Sequence, residues 1–125
     1  MSENYSEAAC RHFGDSDHLA RLSRWGGASH LVGFAAECAI KYRIETLRSA
    51  PGAPHGHFPD LVDIARKHLR SRRDTAMHAV LKIPKLMDGW TVNLRYAGDA
   101  AIGQAHYIVW REHASRLLGA AGLKR

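Results

Sequence analysis

Apolar residues recur every three to four positions along most of this chain, a period that predicts helices almost throughout. A first helix is expected over about residues 3–24, turning Tyr5, Ala9, Phe13, Leu19 and Leu22 inward. Gly14 and the Asp15-Ser16-Asp17 cluster weaken its middle. Gly26-Gly27 then punctuates the chain, and a second helix is expected from about 28 to 47. Its stripe is the clearest in the sequence: Leu31, Phe34, Ala35, Cys38, Ala39 and Tyr42. Small residues at Gly33, Ala35, Ala36 and Ala39 let a neighbouring helix come close. Residues 49–58, SAPGAPHGHF, hold two prolines and two glycines and read as a loop. Proline suits a first helical turn, so a third helix is expected to enter near Pro59-Asp60. It turns Leu61, Ile64, Ala65 and Leu69 inward and ends in a basic run. Asp74-Thr75 can cap a fourth helix through about Leu81, before Pro84 and Gly89. The last helix is expected over about 99–119, with Ala101, Ala105, Ile108, Ala114, Leu117 and Leu118 on its apolar side. One short stretch, residues 90–96, alternates loosely enough to be the only strand candidate. Long helices with short connections imply an all-α, four- to five-helix up-and-down bundle.

Composition narrows this to one domain over residues 1–125, with loose ends expected at 1–4 and 120–125. A chain of 125 residues that is 46% hydrophobic can bury a real core, which excludes a disordered or fibrous protein. The longest apolar stretch, residues 31–44, is broken by Glu37, Lys41 and Arg43, so no membrane span is expected. The start, MSENYSEAAC, lacks the basic and apolar runs of a signal peptide. Cys10 and Cys38 stand in no pairing motif and read as reduced thiols of a cytoplasmic protein. Net charge is +6, from 18 basic and 12 acidic residues. That balance suits a polyanionic partner, although it also serves solubility alone.

The charge is not spread evenly. Arg66-Lys67-His68-Leu69-Arg70-Ser71-Arg72-Arg73 concentrates cations that could neutralise several phosphates, or simply complement a helix end. Arg73 and His78 stand five apart, and metal-free RNA cleavage needs such a pair: a base near neutrality and a permanent cation. Arg95 and Tyr96 follow Trp90 in the link to the last helix, where arginine beside aromatics suits stacking and phosphate contact. Glu37 and Lys41, four apart on the second helix, are spaced for a structural ion pair. His55-Gly56-His57 and the Asp15, Asp17, His18 group fall short of the three or four ligands a metal requires. No metal or cofactor is expected, since nucleotide-loop, Ser-His-Asp and zinc signatures are all missing.

Several of these residues also carry a resemblance. Arg24-Trp25-Gly-Gly-Ala28-Ser-His30-Leu31-Val-Gly-Phe34-Ala35-Ala36-Glu37-Cys-Ala-Ile40-Lys41 resembles the second-helix signature of HEPN domains, a nucleotide-binding family of higher eukaryotes and prokaryotes. His57-Phe-Pro-Asp-Leu61 is similar to the family's entry to its third helix. Trp90 with Arg95-Tyr96 resembles the segment before its last helix, which Ala114-Ser-Arg-Leu-Leu118 ends. The likeness covers roughly residues 8–120. It implies a helical bundle, commonly a homodimer, and in active members a metal-independent endoribonuclease with an Arg-polar-x-x-x-His motif at the dimer cleft. Many such proteins belong to toxin–antitoxin or antiphage systems; others bind nucleotides or act as scaffolds.

Arg73-Asp74-Thr-Ala-Met-His78 fits that motif but lies upstream of the place where the family carries it. Two readings therefore stand. One is an RNA- or nucleotide-binding protein using Arg66, Lys67, Arg70, Arg72, Arg95 and Tyr96. The other is a ribonuclease with Arg73 on the phosphate and His78 as acid or base. A non-enzymatic scaffold for an operon-encoded protein partner competes with both. A DNA-binding bundle would need a recognition helix, and no helix-turn-helix spacing flanks residues 59–73.

Overall fold

The computed structural model describes residues 4–47, 56–69 and 74–125. Five α-helices carry the fold: α1 (Tyr5–Arg21), α2 (Trp25–Leu47), α3 (Asp60–His68), α4 (Thr75–Leu81) and α5 (Gln104–Ala120). Two 3-10 turns, Val92–Tyr96 and Asp99–Ala101, lie between α4 and α5. The expected all-helical bundle is the observed one, and the described residues contain no strand. None of their helices is long and apolar enough to cross a membrane.

Local sequence sets most helix ends. The Asn4 side chain accepts from the Glu7 N–H and starts α1, and Asp74 accepts from the Met77 N–H and starts α4 as expected. Asp74 is itself held by Arg43 Nε at 2.8 Å, which ties the cap of α4 to the far end of α2. Pro59 leads into α3, again as expected. The first helix runs unbroken through Gly14 and Asp15–Asp17, where Phe13 and Ser16 are buried and the Ser16 hydroxyl donates to the Phe13 carbonyl. Three boundaries differ. Gly26 and Gly27 belong to the first turn of α2; the pair marks a helix start, not a gap. The Trp90–Tyr96 stretch has no neighbouring strand among the described residues, and Val92–Tyr96 close into a 3-10 turn. Residues 99–101 form a separate turn, so α5 begins only after Gly103, whose N–H donates to His106 Nδ1 at 3.2 Å.

The buried face of α2 is only partly the one its stripe implies. Ala35 and Ala39 are fully buried as expected, but Leu31, Phe34, Cys38 and Tyr42 are only partly buried, while Val32, Gly33, Ala36, Ile40 and Ile44 are deep. The cause is position: α2 is the central helix, with α1 on one side, α5 on another and α3 near its end. A helix packed on several sides is apolar nearly all round, so no single stripe marks its core face. Leu22, expected inside, caps α1 and is 71% exposed.

Trp90 is the largest buried side chain and lies in the notch left by Gly33. Its Nε1–H donates to the Ser29 carbonyl at 2.8 Å, and Phe34 and Phe58 meet its ring edge-on. The C-terminal residues fold back on the bundle. Leu123 packs on the core, Arg125 donates to the Ser115 carbonyl, and the Cys10 thiol donates to the Lys124 carbonyl.

Candidate functional site

One concave region lies where α1 ends, α2 begins and the two 3-10 turns lead into α5. Two hollows of about 660 and 240 Å³ share Gly26, Gly27, Asp99 and Ile102 and so form one groove. Arg24 and Trp25 line its larger part, His30 and Arg95 its smaller part. Each of the two adjoining hollows is thus lined by one arginine. Neither arginine makes an ion pair among the described residues. An alanine methyl at Gly26 would meet nothing, so the backbone there stands open to the groove.

Each polar group is placed by its packing. The Arg95 guanidinium lies 4.8 Å from the centroid of the Tyr96 ring, a cation–π contact on an exposed surface. The His30 ring stands edge-on to Phe34 at 4.7 Å and lies nearly parallel to Trp90. Its Nδ1 is enclosed with no hydrogen-bond partner in the described residues. Burial first, then Arg95 and His12, push the His30 pKa below its ordinary 6.5, so the ring is neutral at neutral pH. Permanent cations, a neutral imidazole and the Asp99 carboxyl therefore share the groove. Guanidiniums grip phosphate, a neutral imidazole accepts a proton, and a carboxyl takes hydroxyl or amino donors.

The residues singled out in the sequence are divided by this geometry. Arg95 lines the groove, and Tyr96 stands beside it, 75% exposed. Arg66 plays a structural part, since its Nε and Nη2 donate to the Leu81 carbonyl at 3.1 and 2.8 Å and close α3 on the C-terminal end of α4. Lys67 is exposed on α3. Arg70, Arg72 and Arg73 lie outside the described residues, as does His55. His78 sits in α4, does not line the groove, and has its Nδ1 enclosed without a partner in the described residues.

Glu37 and Lys41 are both buried, yet they do not form the expected pair with each other. Glu37 accepts from His57 Nδ1 at 2.9 Å and from the Phe58 N–H at 2.8 Å, while Lys41 lies 5.9 Å from the Tyr5 ring centroid. The entry to α3 presents two donors to the carboxyl, which outcompetes one cation at helical spacing. His57, expected in a solvated loop, is thereby a fixed part of the fold. The Asp15, Asp17, His18 group resolves differently too. Asp17 accepts from Arg111 Nε at 2.7 Å, Arg111 Nη2 at 3.1 Å and the Tyr107 hydroxyl at 3.0 Å, bridging α1 and α5. The Arg111 hydrogen bond chiefly holds the Asp17 pKa below its ordinary 3.8. No group of three or more metal-ligating side chains gathers among the described residues.

The pattern of histidines gives a pH expectation. Burial is the main cause that lowers the pKa of His12, His30 and His113 below 6.5. His113 Nδ1 accepts the Met87 N–H at 3.0 Å, which requires that nitrogen to be unprotonated. Above pH 6.5 these groups are neutral whether the chain is folded or not. As pH falls through 6.5 the unfolded chain takes up protons first, so stability declines. Urea midpoints are expected to hold from about pH 8 to 7 and to drop by about pH 5.5, less steeply in His30→Phe. Midpoints that rise on acidification would contradict the assignment.

Arg24, His30 and Asp99 were not legible as site residues, because only the tertiary fold brings them to Arg95. Compared with family models, curated proteins and solved structures, the chain matches none of them.

Proposed function

We propose that this protein binds RNA or a nucleotide, with phosphate held between Arg24 and Arg95 in the groove at the start of α2. The observation that carries this reading is the pair of adjoining hollows, one lined by Arg24 and the other by Arg95, neither arginine in an ion pair among the described residues. Trp25 and Tyr96 add flat faces on which bases can stack. The motif resemblance to HEPN domains supports the same reading. From that resemblance come the further proposals of a cytoplasmic homodimer and a part in toxin–antitoxin or antiphage defence.

The test is fluorescence anisotropy with a labelled single-stranded RNA of mixed sequence at two salt concentrations. Binding is expected to weaken with salt, because each phosphate contact releases counterions. Charge reversal at both arginines (Arg24→Glu with Arg95→Glu) is expected to reduce affinity at least about tenfold and to flatten the salt dependence. Unchanged binding in that variant, with its helical circular dichroism intact, would refute the site.

A second reading, metal-independent RNA cleavage, draws on the neutral His30 beside Arg95. Incubation with RNA in EDTA separates its two versions. Cleavage lost in His30→Ala alone places the chemistry in the groove, and cleavage lost in His78→Ala alone gives it to Arg73 and His78. No cleavage leaves binding as the activity.

A further inference from the structure

A second surface lies round the corner from the groove. Helices α1 and α5 both pack on α2, but touch each other mainly through Asp17, Tyr107 and Arg111. Beyond that bridge they diverge into an open furrow of about 380 Å³. Its floor is aromatic, with Trp25 and Tyr107 rings 5.7 Å apart. Ala20 and Arg21 form one wall, Gln104 and Ile108 the other. Ile108 is 57% exposed and its neighbour Val109 51% exposed, although both stand on a long, well-packed helix. On its far side Val109 overlooks another shallow hollow, shared with Ala105 and Trp110. The first turns of α5 thus present an aliphatic ridge between two clefts, the relief into which a further helix packs.

From this surface we infer a docking site for an acidic amphipathic helix of a partner protein, seated in the α1–α5 furrow. Length, chemistry and charge each point to that occupant. Gln104 to Arg111 spans about two turns, roughly 10 Å of axis, which matches a short helix and is too narrow for a folded domain. Bare aliphatic side chains gain by meeting other aliphatic side chains, and a sugar–phosphate strand offers few. Asp17 is neutralised by Arg111, while the exposed Arg21 has no ion-pair partner among the described residues and leaves the furrow with an uncompensated positive charge. The rim is therefore cationic and complements carboxylates flanking an apolar stripe. The site goes beyond the groove reading and shares only Trp25 with it.

The experiment uses a fluorescein-labelled 16-residue peptide with leucine at i, i+3, i+4 and i+7 spacing and glutamate elsewhere. A lysine counterpart of the same apolar pattern is the control. The acidic peptide is expected to bind with a dissociation constant on the order of 10–100 μM. Ile108→Asp and Arg21→Glu are each expected to weaken it about tenfold or more; both positions are exposed, so the fold is kept. Amide shifts in a nitrogen-15 spectrum are expected along the second half of α1 and the first half of α5. Arg95→Glu is expected to leave peptide binding unchanged, which separates this site from the RNA groove. Absent binding, equal binding to Ile108→Asp, or equal binding of the lysine peptide overturns the inference. So does a wild-type dimer by light scattering that Ile108→Asp converts to monomer, because the second copy would then be the occupant.

Discussion

Trp90→Ala is expected to cost about 3–5 kcal/mol, a large share of what a domain of this size has to lose. The indole is 1% exposed, touches Phe34, Phe58 and His30, and donates to the Ser29 carbonyl, so its removal leaves a cavity and loses a buried hydrogen bond. The complementary change is Gly33→Ala. A methyl there would fall inside the Trp90 ring, and neither partner can retreat, because both are buried. Overpacking of this kind costs about 1–3 kcal/mol, and the rigid indole places it at the upper end. The double variant gives the sharper result. With the indole gone, alanine at 33 fills space and favours the helix by about 1 kcal/mol over glycine. Gly33→Ala is therefore expected to destabilise the wild type and to stabilise, or leave unchanged, the Trp90→Ala protein. Urea midpoints at constant m-value read the cycle; additive costs would show that the two positions do not share one space.

The second large effect is at Glu37. Replacement by leucine keeps the bulk but leaves the buried Phe58 N–H without its acceptor and frees His57, for a loss of about 2–4 kcal/mol. Glu37→Gln keeps an oxygen toward the Phe58 N–H and is expected to cost roughly 1 kcal/mol. Because Phe58 also packs on Trp90, loosening this clamp is expected to blunt the change in tryptophan fluorescence on unfolding. A Glu37→Leu protein as stable as wild type would show that the carboxyl is not what anchors the start of α3.

These two clusters show why the fold was more legible in the sequence than the site. Asp74, Pro59 and the 3.6-residue period act within a few residues of where they stand, so α3 and α4 could be placed from local rules. The inner face of α2 could not, because a helix wrapped on several sides hides its orientation in a nearly uniform apolar pattern. Residues 90–96 alternated like a strand, yet alternation has no effect without a partner to pair with. Charge misled in a similar way. Arg66 lies in the most basic run of the chain, but the nearest bare carbonyl, at Leu81, claims its guanidinium. Arg24 gave no signal of its own: it gains meaning only once the turn into α2 faces Arg95.

The central place of α2 also governs the order in which the molecule can be built. The α1–α2 hairpin joins neighbouring stretches of chain and loses little entropy in closing. The other wall of α2 is α5, which begins nearly half the chain after α2 ends. Until α5 arrives, the wall of α2 that it packs against stays uncovered. The meeting of α5 with α2, distant in sequence, is therefore the step expected to limit folding.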